Sequence, residues 1–122
     1  MIARLTNIGT APAIAAIMLA LVTGAAAAEP SAADLEAGKD VAMDRAKGNC
    51  IACHAMEGGE SPGNIGPPLI AMKARYPEPE RLRAQIWDST DSNPHSAMPP
   101  FGKHEILTEE QIDQVVAFIL TL

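Results

Sequence analysis

Cys50-Ile51-Ala52-Cys53-His54 is a C-x-x-C-H run, the spacing that marks attachment of a c-type haem. The chemistry explains each residue. Two thiols add across the two porphyrin vinyl groups and form thioethers. Two intervening residues set the thiols at the right separation on a helical turn. The adjacent imidazole then meets the iron from the same side. Other readings fit less well. A thioredoxin-like C-x-x-C calls for a βαβ context, and no stretch here alternates apolar and polar residues over strand length. A zinc site needs four ligands. Only His95 and His104 remain to join the cysteines, and they lie far downstream at the wrong spacing. A Cys50–Cys53 disulfide would close too small a loop to stabilise a domain much.

The iron then needs a second axial ligand or keeps an open position. Met98 is the leading candidate, in Ala97-Met98-Pro99-Pro100-Phe101-Gly102, where two prolines stiffen the backbone. His95 is the runner-up. Met56 is too close to His54 in sequence to reach the opposite haem face. Met43 and Met72 are expected on helices, lining the haem edge. Histidine–methionine ligation fills both axial positions and raises the potential, which points to electron transfer rather than oxygen chemistry. Gly66-Pro67-Pro68-Leu69 then places a proline carbonyl, with Pro67 favoured, to accept the Nδ1–H of His54 and fix its tautomer. Trp87 has three readings: a propionate partner, a docking residue, or core packing on Leu82 and Ile86. Lys73, Arg75, Arg81 and Arg83 form a basic stretch whose default is a solvated face. His104 has no assignable role.

Working outward, the N-terminus has the order of a secretion signal. Arg4 is the only charge before Glu29, Ala13 to Val22 is apolar, and Ala25 to Ala28 offers small cleavage positions. An apolar run of about ten residues is short of the ~20 that span a bilayer, so residues 1–28 are expected to be cleaved rather than to anchor. Residues 29–122 remain as one exported domain. Export suits the motif, because c-type haem is attached outside the cytoplasm. The net charge of −6 argues against nucleic-acid binding, which needs a basic stripe. One Trp, one Tyr and two Phe bury at most about 1,000 Å² at roughly 150–250 Å² each. That core is thin for a small domain. A covalent haem fills the gap, so the haem-free chain is expected to be largely unfolded.

The periodicity predicts an all-α fold. A first helix is expected from Ser31 to Lys47, opened by a Ser31–Asp34 capping relation. Leu35, Ala42 and Ala46 share its inner face, and Gly48-Asn49 follows its end. A short turn is expected between Leu69 and Ala74, and a helix opens near Pro79, a residue favoured at the first helical position. The last helix is capped by Thr108 and Gln111. It carries Ile112, Val115, Val116, Ile119 and Leu120 as one buried stripe.

Five stretches together resemble a known family. They are Gly48 to His54, Pro62 to Leu69, Met72 to Pro77, Leu82-Arg83-Ala84-Gln85-Ile86-Trp87-Asp88, and Met98 to His104. The chain is similar over most of Gly48 to Leu122 to the SoxX family, small monohaem class I cytochromes c. C-x-x-C-H and M-P-x-F-G occur in many class I cytochromes. Asn-Ile-Gly-Pro-Pro-Leu and Gln-Ile-Trp-Asp are more specific. The resemblance implies one haem c per chain, held covalently by Cys50 and Cys53, with His54 and Met98 as axial ligands. It implies a periplasmic heterodimer with a larger haem subunit, SoxA. That complex is a cysteine S-thiosulfotransferase: it joins thiosulfate oxidatively to a cysteine of the SoxYZ carrier. The SoxX haem serves there as an electron relay toward a downstream acceptor. With two cysteines, both in the motif, this chain supplies no catalytic thiolate of its own. The alternative is a free-standing, diffusible class I cytochrome c.

Overall fold

The computed structural model describes residues 29–122. The signal segment read from residues 1–28 lies outside the described residues. Four helices follow one another: α1 (Ala32–Met43), α2 (Met72–Arg75), α3 (Pro79–Trp87) and α4 (Glu109–Ile119), with a 3₁₀ turn at Cys50–Ala52 between α1 and α2. The described residues contain no strand.

Both predicted capping boxes form. The Ser31 hydroxyl accepts from the Asp34 N–H, and the Asp34 carboxylate accepts from the Ser31 N–H. Thr108 and Gln111 repeat the exchange at α4. Each satisfies two helix N–H groups that otherwise have no partner. Pro79 begins α3, where a missing N–H costs nothing.

α1 stops at Met43 rather than at Lys47. The Asp44 carboxylate accepts from the Ala46 N–H at 2.8 Å, a local turn that competes with helix. The chain then folds back, and the Gly48 N–H reaches the Val41 carbonyl at 3.1 Å. Ala46 is therefore exposed, while Gly38, Val41 and Ala42 form the inner face of α1. Asn49 follows with a left-handed φ of 46°, a conformation asparagine tolerates. α2 starts at Met72, three residues after the start of its expected span, following Ala71 at φ 51°.

The core lies where α1 crosses α4, and α3 also packs against α4. Ile112, Val115, Val116, Phe118 and Ile119 of α4 are buried, and Leu120 is half-buried. Gly38 makes the crossing tight: a Cβ there would sit 2.0 Å from the Gln114 carbonyl oxygen. Only glycine lets these two backbones approach so closely. No helix among the described residues is long and apolar enough to cross a membrane.

Candidate haem site

A cavity of about 660 Å³ opens beside the core, within the usual range for cofactor sites. Cys50, Cys53, His54, His95 and Met98 all line it. The Cys50–Ala52 turn presents the two thiols. The loop between α3 and α4 presents His95 and Met98. Leu69 and Met72 close one apolar wall, and Leu82, Ile86, Val115 and Ile119 from α3 and α4 close the other.

His54 is held from the Gly66-Pro67 loop. Its Nδ1 lies 2.7 Å from the Pro67 carbonyl oxygen. A carbonyl only accepts, so Nδ1 carries the proton and Nε2 keeps its lone pair for a metal. The loop reaches the ring because Gly66 has no side chain. A Cβ there would lie 2.4 Å from His54 Cε1 and 2.6 Å from Nδ1. Arg75 pins the same loop, donating to the Pro68 carbonyl at 2.9 Å. Leu69 adds a bond from its N–H to the Ala55 carbonyl at 2.8 Å.

Met98 is fixed from α3. The Ser89 hydroxyl donates to the Met98 carbonyl at 2.8 Å, and Ser89 is fully buried. The Met98 N–H donates to the Ser96 hydroxyl at 3.2 Å. Beyond the two prolines, the N–H groups of Phe101, Gly102 and Lys103 donate to the carbonyls of Ile86 and Trp87. Those carbonyls end α3 and have no partner within it. The Lys103 ammonium pairs with buried Asp88 and, with Thr90, holds its carboxyl down at about 2.

Burial pushes the Cys50 thiol up to about 11. A disulfide-exchanging cysteine needs the opposite shift, toward thiolate, so Cys50 does not suit the role of an attacking thiolate. Among the described residues, no three His, Cys, Asp or Glu side chains cluster as a zinc site would need.

Lys73, Arg75 and Arg81 are exposed, as a solvated face expects, and Arg83 is half-buried. Of Lys73, Arg75, Arg81 and Arg83, only Arg75 lines the cavity. Arg83 turns to Glu109 at 3.0 Å and Asp113 at 2.6 Å on α4. Arg45 and Lys47, from the turn that cuts α1 short, join Arg75 at the cavity, which no carboxylate side chain lines. In an acidic chain this local sign suits a ligand carrying carboxylates, as haem does. Met72 lines the cavity as expected, whereas Met43 packs against the core away from it. Trp87 lies outside the cavity, below the Arg83 guanidinium at 5.4 Å and against Gly102. An apolar cavity with two thiols, an oriented imidazole, a thioether and a cationic border therefore fits haem c in donor set and lining.

The comparisons agree. The cytochrome c family model matches residues 35–122. The chain belongs to the cytochrome c family. Covalently attached haem c is the cofactor of that family, and Cys50 and Cys53 supply its C-x-x-C-H thiols. The crystal structure of SoxXA from P. pantotrophus contains a chain similar to this cytochrome at 29% identity and a TM-score of 0.63, over 70% of this chain and 79% of that one. The fold and the SoxX-like class I character rest on these two findings. An uncharacterized lipoprotein of Aquifex aeolicus (strain VF5) is 36% identical over 74 residues, 60% of this chain. This cytochrome spans 36% of that relative's length.

Three contributors were not legible in the sequence. Ser89 looks like any loop serine, and Asp88 and Lys103 are distant enough to pass as solvated charges. Their partners become adjacent only through the path of the α3–α4 loop.

Proposed function

We propose that this cytochrome is the periplasmic electron-relay subunit of a SoxXA-type complex that couples thiosulfate to a carrier cysteine. In this reading residues 1–28 direct export and are removed. Cys50 and Cys53 would hold the haem through thioethers, and His54 and Met98 would ligate its iron. The observation that carries it is the convergence of all four residues on one cavity, with His54 oriented by Pro67. The similarity to a chain of the SoxXA structure supports the assignment to that complex.

The cofactor supplies the one-electron chemistry. The chain's own residues fix the two side chains that would ligate the iron. Pro67 keeps the His54 proton on Nδ1. The α3–α4 loop presents the Met98 thioether from a backbone fixed at both sides. Little rearrangement between oxidised and reduced forms is what a relay needs. Ile65, Ile70 and Ile106 are exposed at 74%, 60% and 44%, and Ile65 and Ile106 also line the cavity. An exposed apolar surface of this kind marks a partner contact. A larger SoxA-like haem subunit docking there brings its own centre close. Through it the relay serves a SoxYZ-type carrier and passes electrons to a downstream acceptor.

Native purification from a thiosulfate-grown source tests the assignment. A haem-staining band at the size of residues 29–122 should co-elute with a larger haem-bearing partner. Elution alone would leave the diffusible carrier as the reading, and an unstained band would remove both.

A further inference from the structure

The contacts between the end of α3 and the Met98 loop are denser than a passive connection needs. Ser89, fully buried, donates its hydroxyl to the carbonyl of Met98 itself at 2.8 Å. Its neighbour Asp88, also buried, pairs with Lys103 on the far side of the two prolines. The N–H groups of Phe101, Gly102 and Lys103 complete the attachment, at 3.1–3.2 Å from the Ile86 and Trp87 carbonyls. The loop is thus held on both sides of Pro99-Pro100, whose rings leave no N–H to donate. Apart from the Met98 N–H bond to Ser96 within the loop, these bonds tie the Met98 segment to the end of α3.

We propose that Ser89 and the Asp88–Lys103 pair form a clamp that sets how readily Met98 leaves the iron. They are positioning residues: none faces the cavity, and each acts through the Met98 loop. The proposal rests on Met98 being the axial ligand. A single hydrogen bond contributes on the order of 1 kcal/mol, which corresponds to a roughly fivefold change in the fraction of chains with Met98 displaced. Losing it should therefore ease entry of an outside ligand by a similar factor.

The test uses the haem-loaded, oxidised protein and imidazole as the probe. Imidazole affinity is read from loss of the methionine–iron charge-transfer band near the red edge of the spectrum. Ser89→Ala and Lys103→Met should each bind imidazole about fivefold or more tightly than the wild type. Lys103→Arg should return the affinity toward the wild-type value. Val41→Ala, buried in α1 away from the cavity, serves as a control for general destabilisation and should leave imidazole affinity within twofold. The clamp is refuted by wild-type affinity in both Ser89→Ala and Lys103→Met, or by an equal gain in Val41→Ala at matched stability. Met98→Ala separates the two claims. If its charge-transfer band persists, the ligand reading fails and takes the clamp with it. If the band is lost while the Ser89 and Lys103 variants behave as wild type, the clamp alone fails.

Discussion

Gly66→Ala is the sharpest probe of the haem site. The added Cβ would lie 2.4 Å from His54 Cε1, 2.6 Å from Nδ1 and 2.8 Å from Nε2. Ordinary carbon contacts sit near 3.5–4.0 Å, so the ring or the loop must give by about 1 Å. The Nδ1 to Pro67 bond, now 2.7 Å, then passes the ~3.2 Å limit of a useful hydrogen bond. Overpacking costs about 1–3 kcal/mol, and the lost bond about 1 kcal/mol more. The expected destabilisation is ~2–4 kcal/mol. The reduction potential should rise as well, because the carbonyl partner makes the imidazole a stronger donor to oxidised iron. Guanidinium unfolding and a potentiometric titration of the haem-loaded protein read the two effects. Gly58→Ala is the control. Gly58 has a φ of 76° and open surroundings, so that change should cost roughly 1–2 kcal/mol of backbone strain and leave the potential alone. A Gly66→Ala protein with wild-type midpoint and potential would refute the account of how His54 is held.

Three further outcomes follow from the fold. Gly38→Ala places a Cβ 2.0 Å from a backbone oxygen of α4. It should lower stability by at least ~2 kcal/mol in urea, despite alanine's higher helix propensity. Acid should weaken the α3 end. The Asp88 carboxyl is held at about 2 against an ordinary 3.8, so its contribution is intact above about pH 4 and is lost as pH falls toward 2. Asp88→Asn should remove that part of the pH dependence of the unfolding midpoint. Arg83→Ala breaks two exposed ion pairs with Glu109 and Asp113. It should cost no more than about 1 kcal/mol, with most of that difference gone in 1 M salt.

Local signals in the sequence were reliable where the cause was local. The Ser31 and Thr108 caps, Pro79 at the start of α3 and the α4 stripe each depend on residues within about two turns, and each forms. The C-x-x-C-H run carries its chemistry in five consecutive residues. The reading failed where a short-range competitor or a distant partner decides. Asp44 captures the Ala46 N–H and ends α1 early, which turns Ala46 outward and brings Arg45 and Lys47 to the cavity. No propensity argument separates that from one more helical turn. Met43 was expected at the haem edge, but it packs against the core outside the cavity. Ser89 and Lys103 acquire roles only once the loop folds back onto α3.

The α1–α4 crossing also dictates an order of assembly. α1 finds its main partner in α4, across the whole of α2 and α3, so the core cannot close until α4 is available. Pairing of such remote segments is slow, because a long loop must close before any contact rewards it. Until then Val115 and Ile119, which back the cavity, are not in place. Cys50 and Cys53 therefore stand open while α4 is undocked. Once α4 docks, both cysteines are half-buried. Haem attachment before α1 and α4 close meets open thiols, and attachment afterwards meets half-buried ones.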